Sequence, residues 1–159
     1  MEWKERAESL FHQSQFEHAE FCFERAKLFD RAMEAKACRL RIEASRMAPS
    51  PRRNSAFCTV ASIFLSCAQD SKSGKTKEHY FDAAQCSENG SDFMAAVEAY
   101  VLAEKYSHAV SLAAKRKWYE QALDLIGQHE IRIRKQDRAL IAQVTSRAKA
   151  HYADNRDFK

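Results

Sequence analysis

Glycine and proline are scarce in this sequence of 159 residues, which holds three of the first and two of the second. A sheet protein with many tight turns needs both, glycine for its positive φ and proline for its preset φ. Their scarcity excludes a β-sandwich or barrel. Long apolar runs are lacking as well. The longest weakly polar stretch, Phe57 to Ala68, is interrupted by Thr59, Ser62 and Ser66. It is too short to span a bilayer, which takes about 20 residues, and reads as a buried helix. The cysteines Cys22, Cys38, Cys58, Cys67 and Cys86 contain no CxxC pair and are odd in number. Met1 to Leu10 is rich in charge and lacks the apolar stretch of a secretory leader. Free thiols in a reducing compartment follow, and an intracellular location, cytoplasmic or nuclear, is expected. Disorder is excluded by what is present: 45% hydrophobic and 11% aromatic residues suffice for a core.

The same short pattern then recurs: an aromatic residue, two others, and alanine. It stands at Phe16–Ala19, Phe29–Ala32, Phe93–Ala96, Tyr106–Ala109 and Tyr119–Ala122. Thirteen residues separate Phe16 from Phe29, Phe93 from Tyr106, and Tyr106 from Tyr119. That period fits one helix of about 11 residues and a tight link. The aromatic at each helix start packs into the preceding helix. The alanine three places on lies on the same face and lets that helix come close. Stacked antiparallel helix hairpins are the result.

Nine helices are predicted: 2–12, 16–28, 31–47, 54–69, 77–88, 93–103, 107–115, 119–126 and 135–152. Pro49 and Pro51 stop the third, and Asn54 or Ser55 caps the fourth. Gly90 is a left-handed C-cap for the fifth, Ser91 or Asp92 caps the sixth, and Gly127 closes the eighth. The fold class is all-α, an irregular solenoid of about nine antiparallel helices in one domain, 1–159, with blocks 1–47, 54–70 and 77–159.

Residues 3–30 resemble a tetratricopeptide repeat (TPR), a helix-turn-helix unit of alternating bulky and small residues. Trp3, Ala7, Leu10, Phe16, Ala19, Phe23 and Ala26 take its signature positions. Arg31 stands where the signature proline would be, so the second helix is expected to run directly into the third. Tyr80, Ala84, Phe93, Ala96, Tyr100 and Ala103 form a second match, at an offset that is no multiple of the repeat length. The segments Phe21–Ala26, Ala99–Tyr106 and Ala122–Ile126 are similar to the TPR-like region of large fungal TPR and ankyrin-repeat proteins with a UvrD/Rep-like helicase core. That resemblance implies an accessory segment of a larger polypeptide, a possibility also suggested by Asp157-Phe158, which repeats the helix start at Asp92-Phe93.

The sequence holds no catalytic constellation. Ser73-Gly74-Lys75-Thr76 looks like the end of a P-loop, but Gln69 stands where the first glycine belongs and a helix precedes it where a strand is needed. The six histidines show no HExxH and no zinc spacing. No GxSxG is present. Cys22 and Cys86 lie beside apolar repeat positions, as core thiols do. No catalytic residue, metal ligand or cofactor is expected. TPR domains that clamp a peptide carboxylate use a Lys and an Asn on the first helix. Lys4 matches by resemblance, but Glu8 replaces the Asn and would repel that ligand.

Charge alternates along the chain: net −3 over 1–30, +5 over 31–53, −3 over 54–105 and +5 over 106–159. Two basic groups are candidate partner-binding surfaces. The first is Arg39, Arg41, Arg46, Arg52 and Arg53. The second is Lys115, Arg116 and Lys117, with Arg132, Arg134, Lys135 and Arg138 beyond. Trp118 and Tyr119 could stack on bases if exposed, although Tyr119 also sits in the core pattern. The expected function is non-catalytic: a helical-repeat scaffold joining proteins or neighbouring domains. A nucleic-acid-contacting module is the alternative, and solvated helix faces with no ligand are the third reading of the basic groups.

Overall fold

A computed structural model describes residues 2–70 and 74–156, with side chains through Asp154. Ser71 to Ser73, including the first residue of the P-loop look-alike, and the Asp157-Phe158 pair lie outside the described residues. The described chain is all-α, with nine helices and no strand: α1 (Trp3–His12), α2 (Phe16–Arg25), α3 (Phe29–Ser45), α4 (Pro51–Asp70), α5 (Thr76–Asn89), α6 (Phe93–Leu102), α7 (Tyr106–Lys115), α8 (Tyr119–Gln136) and α9 (Leu140–Arg156). It divides into two compact units, Met1–Ala96 and Val97–Lys159, with the boundary inside α6.

The aromatic-x-x-alanine copies share one cause, a turn made five times. Ser14, Lys27, Ser91, Glu104 and Lys117 all have φ near +60°, and each stands two residues before a repeat aromatic. At each turn two crossed backbone bonds close the helix end. At Lys27, for example, its own N–H reaches Glu24 O at 3.0 Å and the Leu28 N–H reaches Phe23 O at 2.9 Å. This is the Schellman closure, which satisfies carbonyls that the helix leaves open. The repeat alanine then makes the first bond of the next helix: Ala19, Ala32, Ala96, Ala109 and Ala122 donate to the residue before the aromatic, at 2.9–3.1 Å. All five alanines are buried. The expected direct run of α2 into α3 does not occur, because Lys27 turns left-handed and α3 begins at Phe29.

None of these five turns places glycine at its left-handed position: Gly90 is the C-cap of α5 as expected, but not a left-handed one. Its φ is −86°, and Ser91 carries the positive φ. Gly90 is needed for space: a Cβ there would stand 2.8 Å from both the Asn54 carbonyl oxygen and Cys58 Sγ. Gly127 does not itself close α8. The helical turn passes through it and is broken at His129 (φ −130°, ψ 27°), beyond which a second helical stretch runs on to Gln136. The predicted cap of α4 also moves. Ser50 Oγ accepts the Arg53 N–H at 3.2 Å, and Pro51 occupies the first helical position, where its missing N–H costs nothing. Asp92 does cap α6, its carboxylate accepting the Ala95 N–H at 3.4 Å.

In the first unit α1 to α5 pack in sequence order. One core cluster joins Ala7, Ala19, Cys22, Phe23, Ala32 and Ala35. A second joins Ala37, Ala44, Phe57, Val60, Ala61, Phe64, Ala83 and Cys86. In the second unit α7, α8 and α9 all contact one another. They bury Val110, Leu125, Ile126, Ile133 and Val144 among small alanines. Alanine at the contacts lets helix axes approach closely. Large side chains such as Phe23, Phe57 and Phe64 fill the remaining space.

Candidate functional site

The basic groups are not equivalent. In the first, Arg39 is held by Glu20 and Glu43, each at 3.2 Å. Arg41 bonds Asp82 at 3.1 Å and Gln85 at 2.8 Å. Arg53 lies over the Phe57 ring at 4.9 Å, its Nε buried without a hydrogen-bond partner. Arg46 and Arg52 are exposed. Arg39 and Arg46 line a hollow of about 360 Å³ with Ser14, Phe16 and His18. Thus the two arginines on the inner turns of α3 serve as ion-pair links between helices, and the structure does not gather the five into one free patch.

In the second unit Lys115, Arg116 and Lys117 are exposed around the turn from α7 to α8, with Trp118 half-buried and Tyr119 buried. Tyr119 therefore belongs to the core. Arg132 pairs with Glu104 at 3.2 Å and lies over Tyr106. Arg134 pairs with Glu130 at 2.7 Å. Lys135 is exposed beside the α8 bend, on a hollow of about 500 Å³ that it shares with Arg132 and His129.

A cavity of about 490 Å³ in the first unit was not foreseen from the sequence. It is lined by the α2–α3 turn and the first turns of α3 (Lys27, Leu28, Phe29, Asp30, Arg31, Met33, Glu34), the end of α4 (Ser66, Cys67, Asp70), and His79 of α5. Phe29 is 62% exposed at its rim and Met33 is 39% exposed. His79 is buried and its Nδ1 has no hydrogen-bond partner. Arg31 is already committed. It gives two bonds to Glu8, at 3.2 and 2.7 Å, and one to Glu34, while its guanidinium lies over Phe11 and Phe23 at 4.5 and 5.0 Å. The Arg31 hydrogen bond holds the Glu8 carboxyl below its ordinary value, against the opposing effect of partial burial. The clamp position weighed at Glu8 is thus an internal anchor for α3.

The thiols are shaped for packing. Burial pushes Cys38 up to about 12, and Cys67 and Cys86 up to about 11. For Cys67 the carboxylates of Glu34, Asp30 and Asp70 add to the effect. A thiol so raised stays protonated at neutral pH, whereas nucleophilic cysteines need the opposite shift.

The repeat signature locates the backbone of this site but not its exposure. Phe29 looks like any other copy of the pattern, and no local feature marks it as uncovered. Trp3, expected at a packing position, is 44% exposed and meets Phe21 edge-on at 6.2 Å. No protein-family model, curated protein or solved structure matches the chain. Among the described residues, no helix is long and apolar enough to cross a membrane.

Proposed function

We propose that this chain is a non-catalytic, TPR-like helical-repeat module that binds a polypeptide partner. The observation that carries the reading is the five-fold use of one Schellman turn, each followed by an aromatic helix start and a buried alanine. Helices joined in this way add one beside the next, and their uncovered faces form surfaces suited to extended peptides or helices. The raised thiols and the internally paired arginines support a structural use of those groups. A second reading, contact with nucleic acid, is favoured by one local feature: Lys115, Arg116 and Lys117 are all exposed at the α7–α8 turn.

Selection of random peptides displayed on phage against the intact chain tests the two together. The proposal expects a peptide consensus to be enriched. Failure to enrich any peptide, combined with steeply salt-dependent binding of short RNA or DNA that is lost on reversing Lys115, Arg116 and Lys117 to glutamate, would transfer the function to nucleic acid.

A further inference from the structure

We infer that the cavity at Phe29 receives an arginine side chain from a partner polypeptide. This rests on the proposed peptide-binding function and assigns it a site and a ligand chemistry.

Three independent observations converge there. The first is positional. Phe29 occupies the same place in the same turn as Phe16, Phe93, Tyr106 and Tyr119. Those four are buried or half-buried, while Phe29 is 62% exposed. A repeat aromatic is left open only where the cavity lies.

The second is the treatment of phenylalanine elsewhere in this unit. Arg31 lies over Phe11 and Phe23, Arg25 over Phe21 at 5.2 Å, Arg53 over Phe57, and Arg41 over Phe64 at 6.0 Å. A guanidinium is attracted to the ring face and sheds less hydration than an ammonium. Among the described residues no guanidinium or ring covers Phe29. The position that an arginine fills over five other rings of the unit is open on Phe29.

The third is charge. Asp30 and Asp70 are exposed on the cavity lining, and Arg31 is neutralised by Glu8 and Glu34. Among the described residues, the carboxylates of the lining then exceed its remaining cation, Lys27. A guanidinium brings a planar fork of donors that carboxylates accept. Its methylene stem suits Leu28 and Met33. His79, buried in the wall with Nδ1 unpartnered, is a polar group left unused by the protein itself. Arg31 shows the same combination built internally: a guanidinium over phenylalanine rings and bonded to two carboxylates.

The peptide selection is repeated on intact Phe29→Ala and Asp30→Asn/Asp70→Asn variants, both at exposed positions, with helicity checked by circular dichroism. The wild-type consensus should contain an arginine beside an apolar residue. A synthetic consensus peptide should bind about tenfold more tightly than its citrulline analogue, which keeps the shape and loses the charge, and each variant should lose about tenfold in affinity. A consensus without arginine, equal binding of the citrulline peptide, or binding indifferent to Phe29→Ala would overturn this site while leaving peptide binding in place. Absence of any consensus would overturn both.

Discussion

At Lys27 and at Lys117 the chain makes the same turn. Each residue has φ near +60°, each is followed by two crossed backbone bonds, and each leads two residues later into an aromatic helix start. The outcomes diverge: Tyr119 is 9% exposed and Phe29 is 62% exposed. Tyr119 is covered by His151 of α9, ring centres 5.0 Å apart. Tyr106, one turn earlier, is covered by His129 of α8 in a parallel stack at 3.8 Å. These aromatics were expected to pack into the preceding helix, as Phe16 does against Phe11 at 5.1 Å. In the second unit a later helix also supplies a ring against them. A turn can therefore be repeated by local sequence alone, while its closure depends on a side chain supplied from far along the chain.

The largest test of this contrast is alanine at both aromatics. Tyr119→Ala should destabilise the fold by about 3 kcal/mol, since it empties a filled core site. Phe29→Ala should cost less than about 0.5 kcal/mol, as surface changes do. Chemical denaturation followed by circular dichroism gives both, and equal losses would remove the distinction. Of intermediate size is the anchor behind Phe29. Arg31→Ala should cost about 2 kcal/mol by unpairing two carboxylates and uncovering two rings. Because Glu8 is depressed in the folded state, its contribution is full above the ordinary carboxyl value and is lost as pH falls through the folded value. Acid titration of stability should accordingly flatten in Glu8→Gln, and an unchanged profile would place the acid sensitivity elsewhere. The smallest effect concerns what the two turns share. Lys27→Gly and Lys117→Gly should each stabilise by about 0.5 kcal/mol, as relief of left-handed strain slightly exceeds the added chain entropy. Matched gains at both sites would confirm that the turns are equivalent and only their covers differ.

Much of the architecture was legible in order. Scarce glycine and proline, together with the alternation of aromatic and alanine, led to helices with short links, because periodicity and turn chemistry are local properties. The helix ends were read less well. Gly90 and Gly127 carry the glycine signal for a stop: α5 does end at Gly90, though without a left-handed turn there, and α8 breaks at His129, two residues past Gly127. The functional surface was read least well. Arg39 and Arg41 count as charge in a sequence, and only the placement of Glu20 and Asp82 turns them into links between helices.

By itself, the sequence determined the class of fold, the five turns and the alanines that accompany them, since each depends on residues within one helical turn of each other. Tertiary structure decided which aromatics are core and which one is open, and which arginines are already bound. It also decided that Cys38, Cys67 and Cys86 are quiet thiols. Those outcomes depend on burial and on partners tens of residues away, and solvent exposure has no local code.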